Sequence, residues 1–418
     1  MKAITQIGLV ISVIILILAF GCKDSKSLAF ISSSAPTKAQ LEKSKFIKIF
    51  SELDSLPEYQ RQNYLQSFLI NYPNSPIIED SSIAIFYWYG KASMVLMNGD
   101  IQYGWARPDT MNIISLGGEN FFYRIYSLPD DARIDYQFII DGKTITDPRN
   151  PITTPSGYGE HSQCAMPLFK TKAVREYRPG IEHGTVDSLL FQSKQTSLQP
   201  RMLKIYTPIG YEYLSKLPTL YVNDGFKAIE YCSYINILDN LIANKKIKPI
   251  IVVFIDFVEG DQEYFISKTD EYLTAICDEM IPLVDKNYKA SVKPEERVLS
   301  GISAGAHISL LTVFKRSDRF LNAAGQSPTI TKQLFDALKE INLNEKKHKT
   351  FRFYFDVGRY DLLSGAFDNQ TYLYANQLLD KEMTKLDIIH SFNIYNDGHE
   401  WANWRERVGE VLIYFFSK

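Results

Sequence analysis

The segment Gly301-Ile302-Ser303-Ala304-Gly305 carries the most specific chemistry in this sequence. It follows an apolar run, Val298–Ser300, and opens a stretch of small and apolar residues that reads as a helix. A serine in a tight strand-to-helix turn stands with its hydroxyl exposed at the carboxyl end of a sheet, and its neighbours must lack bulk. Gly301 and Gly305 meet that need, which makes Ser303 the candidate nucleophile. A serine at its free pKa is a weak nucleophile; it needs a base, and the base needs an orienting acid. In this arrangement the chain order is serine, acid, histidine.

Two histidines downstream of Ser303 lie beside a late strand. His390 begins the strand candidate 391–395, at the wrong end of a parallel sheet, whereas His399 follows it directly in Asn396-Asp397-Gly398-His399-Glu400-Trp401. His399 is therefore the expected base. His307 lies one helical turn beyond Ser303, where packing or pocket lining is expected; His161, His183 and His348 precede the serine or fall in a polar linker. For the acid, the strand candidate Phe351–Val357 ends in Gly358-Arg359-Tyr360-Asp361. Asp361 lies past the strand end, where catalytic loops of parallel sheets lie. It ranks ahead of Asp356, which is inside the strand, and of Asp368. The oxyanion hole needs two backbone N–H groups. Ala304 supplies one, and Phe226, in the loop Asn223-Asp224-Gly225-Phe226 after an early strand, is the candidate for the other. No HExxH, CxxC or P-loop occurs, so neither metal nor cofactor is expected. The acidic stretch Asp256, Glu259, Asp261, Glu263 reads as a solvated or pocket-rim loop.

These residues need a sheet with helices on both faces. Over 171–418, apolar strand candidates alternate with helix candidates at 228–243, 270–286, 304–316, 331–341, 367–382 and 402–416, the pattern of an α/β protein with a mainly parallel sheet. Residues 77–170 differ: short aromatic and β-branched runs are separated by turn signals such as Asn98-Gly99, Gly117-Gly118 and Asp141-Gly142, which suggests an Ig-like β-sandwich. The segment Thr154–Gly159 combines glycines with Tyr158, as a loop walling a pocket would. Residues 37–76 read as two short amphipathic helices that pack on a neighbour, and 22–36 as a Ser- and Lys-rich tether.

The first 21 residues contain an apolar run, Ile7–Phe20, too short for a comfortable membrane span of about 20 residues. It ends in Leu18-Ala19-Phe20-Gly21-Cys22, which resembles a bacterial lipoprotein signal with Cys22 as the lipidated residue and membrane tether. The expected location is then the cell envelope. Over all 418 residues the formal net charge is -2, which gives no reason to expect a nucleic-acid partner. Cys164, Cys232 and Cys277 remain after Cys22, an odd number, so no essential disulfide is expected.

Residues 77–418 resemble the enterochelin-esterase-like putative esterases, a family that includes xylanase-linked feruloyl esterases. The matching motifs are Asp147-Pro-Arg-Asn-Pro151, Pro179-Gly-Ile-Glu-His-Gly184, Arg201 with Tyr206-Thr-Pro208, Asp224-Gly225, Gly301–Gly305, Asp356–Asp361 and Gly398-His-Glu-Trp-Ala-Asn-Trp404. The resemblance implies an α/β-hydrolase fold, a serine esterase with the triad Ser303, Asp361 and His399, and a small-molecule or glycan ester as substrate. The family's amino-terminal module resembles a carbohydrate-binding type. Relatives commonly carry an Arg a few residues before the Glu-Tyr that matches Glu263-Tyr264, where this chain has Gly260-Asp261-Gln262. Transfer of the acyl group to a sugar or lipid would use the same triad. A surface binding lipoprotein with an inactive hydrolase domain is the reading from another class.

Overall fold

The computed structural model describes residues 34–102, 104–342, 350–363 and 370–418. The leader 1–21 and Cys22 lie outside the described residues, as do His348 and Asp368. Among the described residues no helix is long and apolar enough to cross a membrane.

Residues 77–165 form ten short strands: β1 (Ile77–Glu79), β2 (Ile83–Gly90), β3 (Val95–Gly99), β4 (Asp109–Thr110), β5 (Asn112–Ser115), β6 (Asn120–Ser127), β7 (Arg133–Ile140), β8 (Lys143–Ile145), β9 (Thr153–Ser156) and β10 (Gly159–Ala165). They make one sheet of order β1-β2-β6-β5 and a second of order β4-β3-β7-β10-β9, with β8 beside β7. The β7–β8 hairpin turns on Asp141-Gly142, both at positive φ (46° and 85°), the two-residue turn whose twist matches antiparallel strands. The near-unbroken apolar run of β2 has a simple cause: both of its faces are covered. Ala84 and Phe86 face the other sheet, sharing a core with Tyr136 and Phe138. Ile83, Ile85 and Tyr87 face outward onto Phe46, Phe50, Leu65 and Phe68. Those last residues come from helices Lys45–Ser55 and Glu58–Asn71, which do pack on a neighbour as expected. A third helix, Lys38–Lys43, precedes them; the chain breaks at Ser44, whose Oγ caps the next helix by accepting from the Ile47 N–H.

The carboxyl-terminal half is built on an eight-stranded sheet of order β11-β12-β14-β13-β15-β16-β17-β18. Its strands are β11 (Thr185–Phe191), β12 (Arg201–Thr207), β13 (Thr219–Val222), β14 (Ile251–Ile255), β15 (Arg297–Ile302), β16 (Asn322–Gln326), β17 (Arg352–Tyr360) and β18 (Ile389–Gly398). From β14 to β18 every neighbouring pair is parallel, while β12 runs antiparallel to both β11 and β14. Ile251, Val253 and Ile255 of β14 point into one core and Val252 and Phe254 into the other, so the sheet has a hydrophobic layer on each face. Helices such as Ala304–Lys315 and Tyr372–Lys385 cover one face, and Tyr234–Ala243 and Trp401–Phe416 the other. The carboxyl ends of β13, β15, β16, β17 and β18 therefore lie along one edge of the sheet. The expected helix 228–243 is two helices, Gly225–Cys232 and Tyr234–Ala243, because Ser233 takes a left-handed conformation (φ 52°). The expected helix 270–286 passes through a π segment, Ala275–Met280.

Candidate active site

Ser303 sits between β15 and the helix Ala304–Lys315 with φ 52° and ψ -113°, a backbone conformation that a side chain rarely adopts. The turn is so tight that a Cβ on Gly301 would come within 2.2 Å of the Gly305 carbonyl, and one on Gly305 within 2.3 Å of Asp224 Oδ2. The strained serine is held from both sides. Its N–H donates to the Gln326 carbonyl at the end of β16 (2.8 Å), and its carbonyl accepts from His307 and Thr329 (3.1 and 3.2 Å). Ser303 is half-buried.

The structure brings Ser303, His399 and Asp361 together. His399 Nε2 is 2.9 Å from Ser303 Oγ, and His399 Nδ1 is 2.6 Å from Asp361 Oδ1. The imidazole is wedged edge-on between Tyr372 (5.2 Å) and Trp404 (4.8 Å). Trp404 is itself pinned by its indole N–H, which donates to Ser327 Oγ (3.0 Å). Asp361 is buried and accepts from the N–H groups of Leu362 (2.8 Å) and Gly358 (3.3 Å). Burial pushes its pKa up, but the His399 charge and these hydrogen bonds outweigh it and hold the carboxyl below the usual range. A register shift in β17 between Gly358 and Tyr360 lies just before Asp361.

Ala304 is the first residue of its helix, and Phe226 is the second of Gly225–Cys232. Both N–H groups belong to the first turn, which has no acceptor within the helix. The contact between Asp224 and Gly305 lays the two helix starts side by side. Asn223 stiffens this loop: its N–H donates to Ser300 (2.8 Å), its amide to Ser309 (2.9 Å), and it accepts from Tyr272 (2.7 Å). Gly225 is required by β14, where a Cβ would meet Phe254 Cα at 2.5 Å.

The other sequence candidates fall elsewhere. His390 Nε2 is 3.0 Å from Asp380 Oδ1 at the far end of β18. Asp356 is buried against Arg407 (2.6 Å). His307 is buried and stacks on Phe265. The acidic stretch is only in part a solvated rim: Glu263 is fully buried in a two-pronged ion pair with Arg201, because the short helix Asp261–Tyr264 turns it inward onto β12.

The sequence pointed to the segment Thr154–Gly159 as a pocket wall but not to the other contacts between the amino-terminal sandwich and this site. Tyr360, next to Asp361, is part of the sandwich core. Gly104 packs on Leu362 so closely that a Cβ would lie 2.9 Å from its Cα. Arg133 of β7 is buried and bonds Asn403, whose amide holds the Gly398 carbonyl (3.0 Å). Gly157, at the tip of the β9–β10 hairpin beside Tyr158, packs on Trp401: a Cβ there would be 3.3 Å from the Trp401 indole nitrogen.

A strand-turn-serine elbow at the centre of a mixed α/β sheet, with histidine and aspartate on later strand ends, defines an α/β-hydrolase. The chain belongs to the Putative esterase family, whose model matches residues 195–415. An endo-1,4-beta-xylanase/feruloyl esterase of Xylanibacter ruminicola is 30% identical over 203 residues, 44% of this chain and 27% of that protein. The chain thus spans about a quarter of that relative's length. An uncharacterized protein of Bacillus subtilis is 25% identical over 242 residues, 55% of this chain and 97% of its own. Among solved structures, the enterobactin esterase of Shigella flexneri superposes with a TM-score of 0.66 at 18% identity, over 84% of this chain and 97% of that one. At that identity the likeness is one of fold.

Proposed function

We propose that the enzyme cleaves its ester through a covalent acyl-enzyme on Ser303. His399 Nε2 takes the Ser303 Oγ proton as Oγ attacks the carbonyl carbon. The oxyanion that forms is held by the Ala304 and Phe226 N–H groups, whose place in the first turns of two helices also sets positive dipole ends toward it. His399 then hands its proton to the leaving alcohol, and Asp361 holds the imidazole in the tautomer that this requires. Water, deprotonated by His399, releases the acid and restores Ser303 Oγ–H. The observation that carries this reading is the hydrogen-bonded chain Ser303–His399–Asp361, at 2.9 and 2.6 Å.

The substrate class we infer is an ester with a bulky aryl-bearing acyl group. Tyr231 and Trp401 lie 5.6 Å apart, and the Lys204 ammonium sits 4.4 Å over the ring of Phe226, whose N–H is the second oxyanion donor of this reading. Apolar walls with a few polar groups are the usual make-up of such sites. The relatives named as enterobactin and feruloyl esterases agree with this choice. A panel of feruloyl, catechol-bearing, acetyl-sugar and short aliphatic esters tests it. The aryl esters are expected to show the highest kcat/KM, and a clear preference for acetyl sugars would overturn the assignment. Within the same panel His399→Ala is expected to lose turnover on every ester, while His390→Ala retains it. The Cys22 lipid anchor belongs to this proposal too, and radiolabelled fatty acid incorporated into the chain but not into Cys22→Ser is its test.

A further inference from the structure

The seam between the sandwich and the His399 loop contains a second constellation that the reaction does not use. Asp135 of β7, His161 of β10 and Glu400, next in sequence to His399, are 0%, 3% and 4% exposed. One donor atom from each lies within 4.8 Å of the others. In each residue one polar atom has no hydrogen-bond partner: Asp135 Oδ2, His161 Nδ1 and Glu400 Oε2. Buried polar atoms are rarely left in that state.

The remaining atoms are held from behind. Asp135 Oδ1 accepts from Arg133 Nη2 (2.8 Å) and Thr154 Oγ1 (3.3 Å), which leaves Oδ2 free. The Trp105 ring lies over the His161 imidazole, 4.4 Å between centroids. Outer contacts of this kind orient metal ligands.

We propose that Asp135, His161 and Glu400 bind one divalent cation of the zinc or manganese class, seated between the sandwich and the loop that carries His399. One imidazole and two carboxylates suit those ions better than calcium or magnesium, which take oxygen ligands. Short side-chain rotations bring such a spread to bond lengths of about 2 Å. The ion ties two strands of the sandwich to the catalytic loop and takes no part in ester cleavage. Its ligands come from distant parts of the chain, so no spacing motif announces it.

The test uses the full chain. Metal content is measured by mass spectrometry after purification, and thermal unfolding is followed with chelator and then with added Zn²⁺, Mn²⁺ or Ca²⁺. We expect one equivalent of Zn²⁺ or Mn²⁺ per chain, a midpoint that falls on chelation and recovers with that ion, and neither effect in His161→Ala. Should that variant misfold, Co²⁺ added to the chelated wild type decides: visible d–d bands of a bound ion support the site. Wild-type protein that holds no stoichiometric metal, shows no Co²⁺ bands and melts at one temperature under all conditions overturns it. That result would leave the ester-cleaving proposal intact, since turnover by chelated enzyme is measured separately.

Discussion

Gly398 stands back to back with Asp100: a Cβ on Gly398 would come within 2.3 Å of Asp100 Cγ. Asp100 is itself buried and accepts from the Asp135 N–H (2.9 Å) and the Trp105 indole (3.0 Å). The residue before the proposed base is thus seated against the sandwich. Gly398→Ala is expected to push the His399 loop outward and lower kcat by about ten- to a hundred-fold, with a smaller change in KM, because misplacement near 1 Å costs that much. Steady-state kinetics on a small aryl ester check this. A wild-type kcat in a folded Gly398→Ala protein would show that the seam is not needed for alignment.

Gly225→Ala tests the oxyanion loop. The new Cβ would meet the β14 backbone at 2.5 Å, so the loop must move and take the Phe226 N–H with it. Loss of one such donor costs about 10²–10³ in kcat. The expected pattern is that loss with binding of a non-reactive ester analogue largely kept. Equal losses in kcat and in analogue affinity would point to general disorder of the pocket instead.

His307 sets an acid limit on stability. Burial lowers its pKa to about 4, against about 6.5 unfolded. Between those values the unfolded chain binds the extra proton, so stability rises with pH. The contribution is complete above about pH 6.5 and is lost as pH falls to 4, a change of about 3 kcal/mol. His307→Leu is expected to lose less stability than wild type between pH 7 and pH 4 in urea titrations. Parallel declines in the two proteins would place the acid sensitivity elsewhere.

Tyr158 is 77% exposed at the tip of the β9–β10 hairpin, next to Gly157, which packs on Trp401. As a wall for a bulky acyl group it contributes to binding more than to chemistry. Tyr158→Ala is expected to reduce the kcat/KM ratio of feruloyl over acetyl esters several-fold, through KM. An unchanged ratio would make the hairpin a spacer.

The sequence made the central sheet legible because β13 and β14 are apolar runs buried on both faces, and the elbow because a tight turn admits only small neighbours around Ser303. Strand order then led to Asp361 and His399. β11 was not legible: as an antiparallel edge strand it is mostly exposed and lacks an apolar signature. Nor was the pairing of Arg201 with Glu263, or the meeting of Asp135, His161 and Glu400, since these contacts arise only when distant segments pack. Tyr360 illustrates the limit well. In sequence it ends a strand of the catalytic sheet, but in space it completes the core of the sandwich.

The most direct test of the account is the covalent one. Purified enzyme is treated with a fluorophosphonate, digested and sequenced by mass spectrometry, and Ser303→Ala is assayed on an aryl ester. The account predicts one adduct, on Ser303 Oγ, and a loss in kcat of about 10⁶ for the variant, the scale set by removal of a triad serine. An adduct on a different residue, or near-normal turnover by Ser303→Ala, would contradict it.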